Sequence, residues 1–234
     1  MYTMDFNPEE MLVCYSKDFG VVEVYKSIRT NIMYSMPKTE GGKAIVITSA
    51  TAGEGKSITC INLALTFAQM NAKVLIVDCD LRKPKLHRYL RIERKDGLSN
   101  VLCGFSELDT AIKVGVKENL DVLTAGEIPP NPAELLQTNS FALVMKELKK
   151  RYDYIILDTS PINIVTDAIF PIKLSEGAIL LAKKDYTTYD MIEQSLEKMK
   201  RVDANIIGTI LIDNKENDNI GYYKKNKYGY RYKE

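Results

Sequence analysis

Between Ser49 and Cys60 the chain reads SATAGEGKSITC. A lysine followed by a hydroxyl residue, preceded by closely spaced glycines, has the composition of a phosphate cradle. The usual pattern is G-x-x-x-x-G-K-[ST], and here its first glycine is replaced by Ala50. Gly53 and Gly55 let the backbone turn sharply and approach phosphate oxygens. The N–H groups from about Gly53 to Ser57 then form an anion-binding nest, reinforced by the positive end of the following helix. Residues Ala52, Gly53, Glu54, Gly55, Lys56, Ser57 and Ile58 are the expected nucleotide contacts. Lys56 can reach the β- and γ-phosphates, and Ser57 can ligate Mg²⁺. Ala50 is tolerable provided its φ stays negative.

Two further acidic stretches supply what a bound triphosphate and its metal require. Val74–Val77 runs into Asp78-Cys79-Asp80-Leu81-Arg82, and Tyr154–Leu157 runs into Asp158-Thr159-Ser160-Pro161. Carboxylates at the carboxyl ends of apolar strands are where a metal beside phosphates finds its oxygens. Asp158 fits the metal-side aspartate, acting through a water. Asp78 and Asp80 both point into the phosphate region if the strand ends there. Two carboxylates so close need a cation or a proton between them. One can serve Mg²⁺ and leave the other as a base. That chemistry suits a protein hydroxyl or water as nucleophile, so kinase and ATPase both stay open at this point.

These residues need a scaffold, and the apolar runs describe one. Ala44–Thr48, Val74–Val77, Leu120–Leu123, Tyr154–Leu157, Ala178–Ala182 and Ile206–Ile212 are short and nearly continuous, the signature of strands buried on both faces. Between them lie helical spacings: Ile58, Ile61, Leu65 and Ala68; Phe141, Val144, Met145 and Leu148; and, less clearly, Met191, Leu196 and Met199. Strand–helix alternation predicts an α/β fold, a mainly parallel sheet with helices on both faces. Residues 1–42 include a predicted helix over Val21–Met33, 43–213 form the core, and 214–234 have no core-forming pattern and read as a mobile tail.

Composition narrows the class. The 234 residues are 45% hydrophobic and 27% charged with a formal net charge of +1, which fits a soluble globular protein and offers no global attraction to nucleic acid. The four cysteines, Cys14, Cys60, Cys79 and Cys103, have no metal-ligand spacing and read as buried small hydrophobes in a reducing cytosol. There is no signal core and no apolar run of spanning length. His87, the single histidine, reads as solvated. Lys83, Lys85 and Arg88 add positive charge near the phosphates.

The chain closely resembles the bacterial tyrosine kinases (BY-kinases) of capsule and exopolysaccharide systems, P-loop enzymes of the MinD/ParA-related type. SATAGEGKS resembles the family's Walker A loop, LIVDCDLR its Walker A′ motif and IILDTSP its Walker B. The stretch LTAGEIPPNPAELL, 123–136, and the near-terminal tyrosines extend the match over nearly the whole chain. The resemblance implies a catalytic set of Lys56, Asp78, Asp80 and Asp158. Lys56 holds the phosphates, Ser57, Asp80 and Asp158 serve Mg²⁺, and Asp78 is the base toward a tyrosine hydroxyl of ATP's acceptor. Positioning ATPases of the ParA and MinD type carry an extra lysine where this chain has Thr51. Glu23, Lys26 and Arg29 resemble the E-x-x-R-x-x-R helix through which these kinases form rings, with lysine replacing the middle arginine and losing its bidentate fork. At Ile212 relatives often place an asparagine near the base.

Five of the 14 tyrosines, Tyr222, Tyr223, Tyr228, Tyr230 and Tyr232, lie in the last segment and are the implied phosphate acceptors. Lys224, Lys225, Lys227, Arg231 and Lys233 against Glu234 give residues 221–234 a charge of +4. The resemblance further implies ATP and Mg²⁺ as cofactors and a homo-oligomeric ring. It also implies a separate transmembrane activator that recruits the kinase to the inner face of the membrane, a cognate phosphotyrosine phosphatase, and protein substrates of polysaccharide synthesis. A P-loop positioning ATPase and a nucleotide-gated scaffold are the alternatives.

Overall fold

The computed structural model describes residues 12–13, 19–38 and 40–213. The five tail tyrosines and Cys14 lie outside them. In chain order the elements begin α1 (Phe19–Ser35), β1 (Lys43–Ser49), α2 (Lys56–Ala68), β2 (Val74–Asp78) and α3 (Leu86–Leu90). They continue α4 (Leu98–Leu102), α5 (Leu108–Ala111), β3 (Lys113–Lys117), β4 (Leu120–Leu123), α6 (Pro132–Gln137), α7 (Asn139–Arg151) and β5 (Tyr154–Asp158). The last are α8 (Ile169–Lys173), β6 (Gly177–Lys183), α9 (Tyr189–Lys200) and β7 (Ile206–Ile212).

The strands form one seven-stranded sheet ordered β3-β4-β2-β5-β1-β6-β7. All neighbours are parallel except β3 and β4. Because strand side chains alternate, Ala44 and Val46 face one layer and Ile45 and Ile47 the other. The first layer packs against α4 to α9 through residues such as Leu98, Phe141, Met145 and Met199. The second packs against α1, α2 and α3 through Ile32, Ile61, Phe67 and Leu86. Phe67 on α2 also lies against Tyr154 at the start of β5, with ring centroids 4.1 Å apart. The doubly covered parallel sheet agrees with the expectation from sequence.

Three local features differ from it. The α2 helix is buried on every side from Ile58 to Ala68 rather than along one stripe. The reason is α1, which covers the side of α2 that turns away from the sheet. Arg29 reaches from α1 to donate to the Thr66 carbonyl oxygen at 2.5 Å, and Ile32 and Met36 are buried in the same core. The described part of the N-terminal segment is therefore packed onto the core. Second, β7 is an edge strand rather than one buried on both faces; Leu211 is 63% exposed. Third, β3 has no continuous apolar run. It is a short antiparallel edge with an irregular register around Gly115, whose φ is +69°.

Candidate active site

Central strand β1 lies between β5 and β6 and delivers Ser49 to the carboxyl edge of the sheet, where the 50–55 loop begins. Gly53 and Gly55 have φ of +84° and +94°, the left-handed region that glycine enters without strain. Ala50 does not adopt positive φ and its methyl group is fully buried, so the missing first glycine costs the loop nothing in backbone freedom. The loop is held from within by Glu54, which is completely buried. One of its oxygens accepts the Thr51 N–H at 2.8 Å and the other accepts the Thr187 hydroxyl from the β6–α9 connection. Tyr186 of the same connection donates to the Ala52 carbonyl at 3.2 Å. Lys56 opens α2 and donates to the Ser49 hydroxyl at 2.9 Å, nearly buried. The first N–H groups of α2 have no acceptor within the helix, as at any helix start, and face the loop's concavity.

Asp78 and Asp158 end β2 and β5 and sit directly opposite one another in register. Both are buried, and Asp78 Oδ2 and both oxygens of Asp158 lack a hydrogen-bond partner of good geometry. Burial, then the neighbouring charges of Asp158 and Asp80, push the Asp78 carboxyl well above the ordinary carboxylate range. Burial likewise raises Asp158, to about 6, although Lys56 and the nearby Ser57 hydroxyl pull it back. The two orphaned oxygens of Asp158, beside Lys56, are donors that a hard cation can use. Among the described residues no three His, Cys, Asp or Glu side chains converge into a metal cage. Mg²⁺ beside a nucleotide binds through one or two carboxylates, with substrate phosphates supplying the rest. Ser57, Asp80 and Asp158 fit it.

A cleft of about 640 Å³ opens above these groups. Lys56, Ser57, Asp80 and Ser160 line it, together with Val21 and Tyr25 of α1 and Ile212 and Asp213 at the end of β7. Only Asp80 of the D-x-D pair reaches this surface. The strand continues through Asp78, so Asp78 lies beneath, its Oδ1 accepting the Asp80 N–H at 3.2 Å. Asp80 Oδ1 accepts the Ser160 hydroxyl at 2.7 Å and the Lys83 N–H at 3.1 Å. Lys83 and Lys85 line the cleft as expected; Arg88 does not. His87 is half-buried, its Nδ1 without a partner, rather than solvated. Cys60 and Cys79 are buried but Cys103 is exposed, against the reading of the cysteines as uniformly internal. On α1, Lys26 pairs with Glu23 at 2.8 Å on a partly exposed face, whereas Arg29 turns inward to α2. Sequence reasoning missed the roles of Ser49, Ser160 and Thr187. Each acts through a contact between distant segments, which leaves no local pattern.

A phosphate loop after β1, with aspartates ending β5 and β2, the next two strands on one side of it, defines a P-loop nucleotide-binding protein. A family model described as an AAA domain matches residues 42–212. Tyrosine-protein kinase YwqD of Bacillus subtilis is 38% identical over 203 residues, 86% of this chain and 85% of that protein. The chimerical protein CapA2B2 superposes with a TM-score of 0.82 at 35% identity, covering 89% of this chain and 90% of the other. The kinase domain of Escherichia coli tyrosine kinase ETK gives 0.78 at 32% identity, covering 84% and 77%. MinD of Pyrococcus horikoshii, complexed with Mg-ADP, follows at 0.62 and 27%, covering 73% and 70%. The chain belongs to the bacterial tyrosine-protein kinases, a branch of the P-loop AAA-type ATPases. Among the described residues no helix is long and apolar enough to cross a membrane.

Proposed function

We propose that this tyrosine kinase transfers the γ-phosphate of Mg-ATP to the tyrosines of its own C-terminal segment, acting between subunits, and to proteins of capsular or exopolysaccharide synthesis. The observation that carries the reading is the buried, register-matched pair Asp78 and Asp158 beneath the P-loop lysine. Lys56 holds the β- and γ-phosphates. Ser57, Asp80 and Asp158 would hold Mg²⁺, which would supply charge neutralisation on the phosphates. The phenol oxygen of the acceptor forms a bond to the γ-phosphorus while the bond to the bridging oxygen breaks and ADP leaves. The phenolic proton passes to the carboxylate of Asp78; because Asp78 is fully buried beneath Asp80, the acceptor phenol reaches it only once the Asp80 turn moves aside. Tyr222, Tyr223, Tyr228, Tyr230 and Tyr232 are the acceptors, drawn by their +4 segment toward a site made negative by nucleotide.

The α1 residues Glu23 and Lys26 contribute to ring assembly, with Arg29 fixing the helix to α2. A transmembrane activator recruits the ring to the inner face of the membrane and promotes nucleotide binding, and a phosphotyrosine phosphatase reverses the modification. Mass spectrometry of tail peptides after incubation with Mg-ATP, with and without the activator's cytoplasmic segment, tests the reading. Phosphate on tail tyrosines, absent in Asp78→Ala, is the expected result. Released inorganic phosphate with every tyrosine unmodified marks a positioning-type ATPase, and partner function surviving Lys56→Met marks a scaffold.

A further inference from the structure

The D-x-D-x-R stretch ends in an arginine to which the roles above assign no task. Arg82 donates from Nε to Asp167 Oδ2 at 2.7 Å and from Nη2 to Asp167 Oδ1 at 3.1 Å. Asp167 belongs to the connection between β5 and α8, and its side chain is 1% exposed. The Arg82 side chain is 42% exposed and lines the cleft together with Lys56, Ser57 and Asp80. A buried carboxylate thus grips one side of the guanidinium while the group itself stands in the nucleotide cleft. Two parallel hydrogen bonds fix the plane of a guanidinium as a single ammonium contact cannot. Among the described residues its Nη1 edge has no hydrogen-bond partner.

The geometry points to Arg82 as a further catalytic residue of the transfer step and to Asp167 as its positioning residue. Held in plane by Asp167, the Nη1 edge donates to a non-bridging oxygen of the γ-phosphoryl group as the phenol oxygen–phosphorus bond forms and the bond to ADP breaks. Charge on those equatorial oxygens is what a preorganised donor stabilises, and the contact strengthens toward the transition state rather than in the bound ground state. This inference rests on the kinase reading above.

Arg82→Lys keeps the charge and loses the fork, Arg82→Ala removes both, and Asp167→Asn weakens the grip. Each is measured in the full chain by single-turnover phosphate transfer, by affinity for a fluorescent ATP analogue with Mg²⁺, and by thermal midpoint. Transfer is expected to fall by about 10²–10³-fold in both Arg82 variants while nucleotide affinity stays within about threefold. Added guanidinium ion restores part of the rate in Arg82→Ala and none in Lys56→Met. The inference is overturned if Arg82→Ala transfers phosphate at close to the parental rate. It is equally overturned if rate, affinity and midpoint fall together with no guanidinium rescue, since Arg82 and Asp167 then merely tie two loops. Should Asp167→Asn not fold, the Arg82 pair still decides. If the parental chain modifies water instead of tyrosine, the kinase reading fails, and the same variants read by phosphate release still test Arg82.

Discussion

Asp158 and Asp78 each contribute stability that falls as pH rises, the reverse of an ordinary paired carboxylate. A carboxyl whose folded pKa exceeds its unfolded value binds its proton more tightly when folded, so stability is greatest where it is protonated and falls as pH rises through the window between the two values. For Asp158 that window runs from 3.8 to about 6, and Asp78 shifts in the same direction. The apo protein is therefore expected to melt at a lower temperature at about pH 8 than at about pH 5, with Asp158 costing on the order of 3 kcal/mol at the higher pH. Asp158→Asn should flatten the profile, and Mg-ATP should offset most of it; scanning calorimetry across pH reads both. A profile rising toward neutrality would show that neither carboxylate is held in the raised state. Mg²⁺ affinity should weaken as pH falls through about 6, because proton and metal then compete for Asp158. At Lys56, methionine removes the one cation buried among the described residues and should weaken nucleotide affinity by at least about 100-fold, read by analogue fluorescence, while the fold survives.

At the scale of elements, the phosphate loop owes its shape to a segment far away in sequence. Glu54 links Thr51 to Thr187, and Tyr186 adds a bond to Ala52. Glu54→Ala leaves the Thr51 N–H and the Thr187 hydroxyl without their acceptor and lets the loop relax. The expected outcome is nucleotide affinity lowered by roughly tenfold with little change in melting of the sheet, measured by titration calorimetry beside circular dichroism. The α1–α2 contact has a different task. Arg29→Ala removes a charged donor from the Thr66 carbonyl and should lower unfolding free energy by about 1–2 kcal/mol in urea. Its effect on assembly should then follow from loosening α1 rather than from losing an intersubunit charge. Glu23→Ala and Lys26→Ala, whose side chains are each about 40% exposed, should alter assembly without altering stability.

For the whole molecule, charge links chemistry to assembly. The segment 221–234 carries +4, and each phosphotyrosine adds roughly −1.5 to −2 charges. Filling all five sites reverses the sign of the segment. If the proposed transfer between subunits holds, an unmodified basic tail would be attracted to a neighbour's nucleotide-loaded cleft and a phosphorylated one repelled, so modification is expected to loosen the proposed ring. Sedimentation velocity should show smaller assemblies for fully phosphorylated protein than for a variant with all five tail tyrosines replaced by phenylalanine. Equal sizes for the two would remove charge reversal as the switch, and raised salt should narrow any difference.

Much of the site was legible in the amino-acid order because its parts are local. A glycine-lysine-serine loop after an apolar run, and aspartates closing two others, state their chemistry within a few residues each. Buried parallel strands declare themselves by continuous apolar runs, which is why β1, β2, β4, β5 and β6 could be located without coordinates. β7 shares that composition but lies at an edge, and no run of residues records how many neighbours a strand has. Nor does any local pattern record that Asp78 faces Asp158, that Arg29 turns inward, or that Asp167 grips Arg82 from 85 positions away. Register, burial and such long-range pairs arise only when separate segments are brought together, because the partner that defines each group's environment lies elsewhere in the chain.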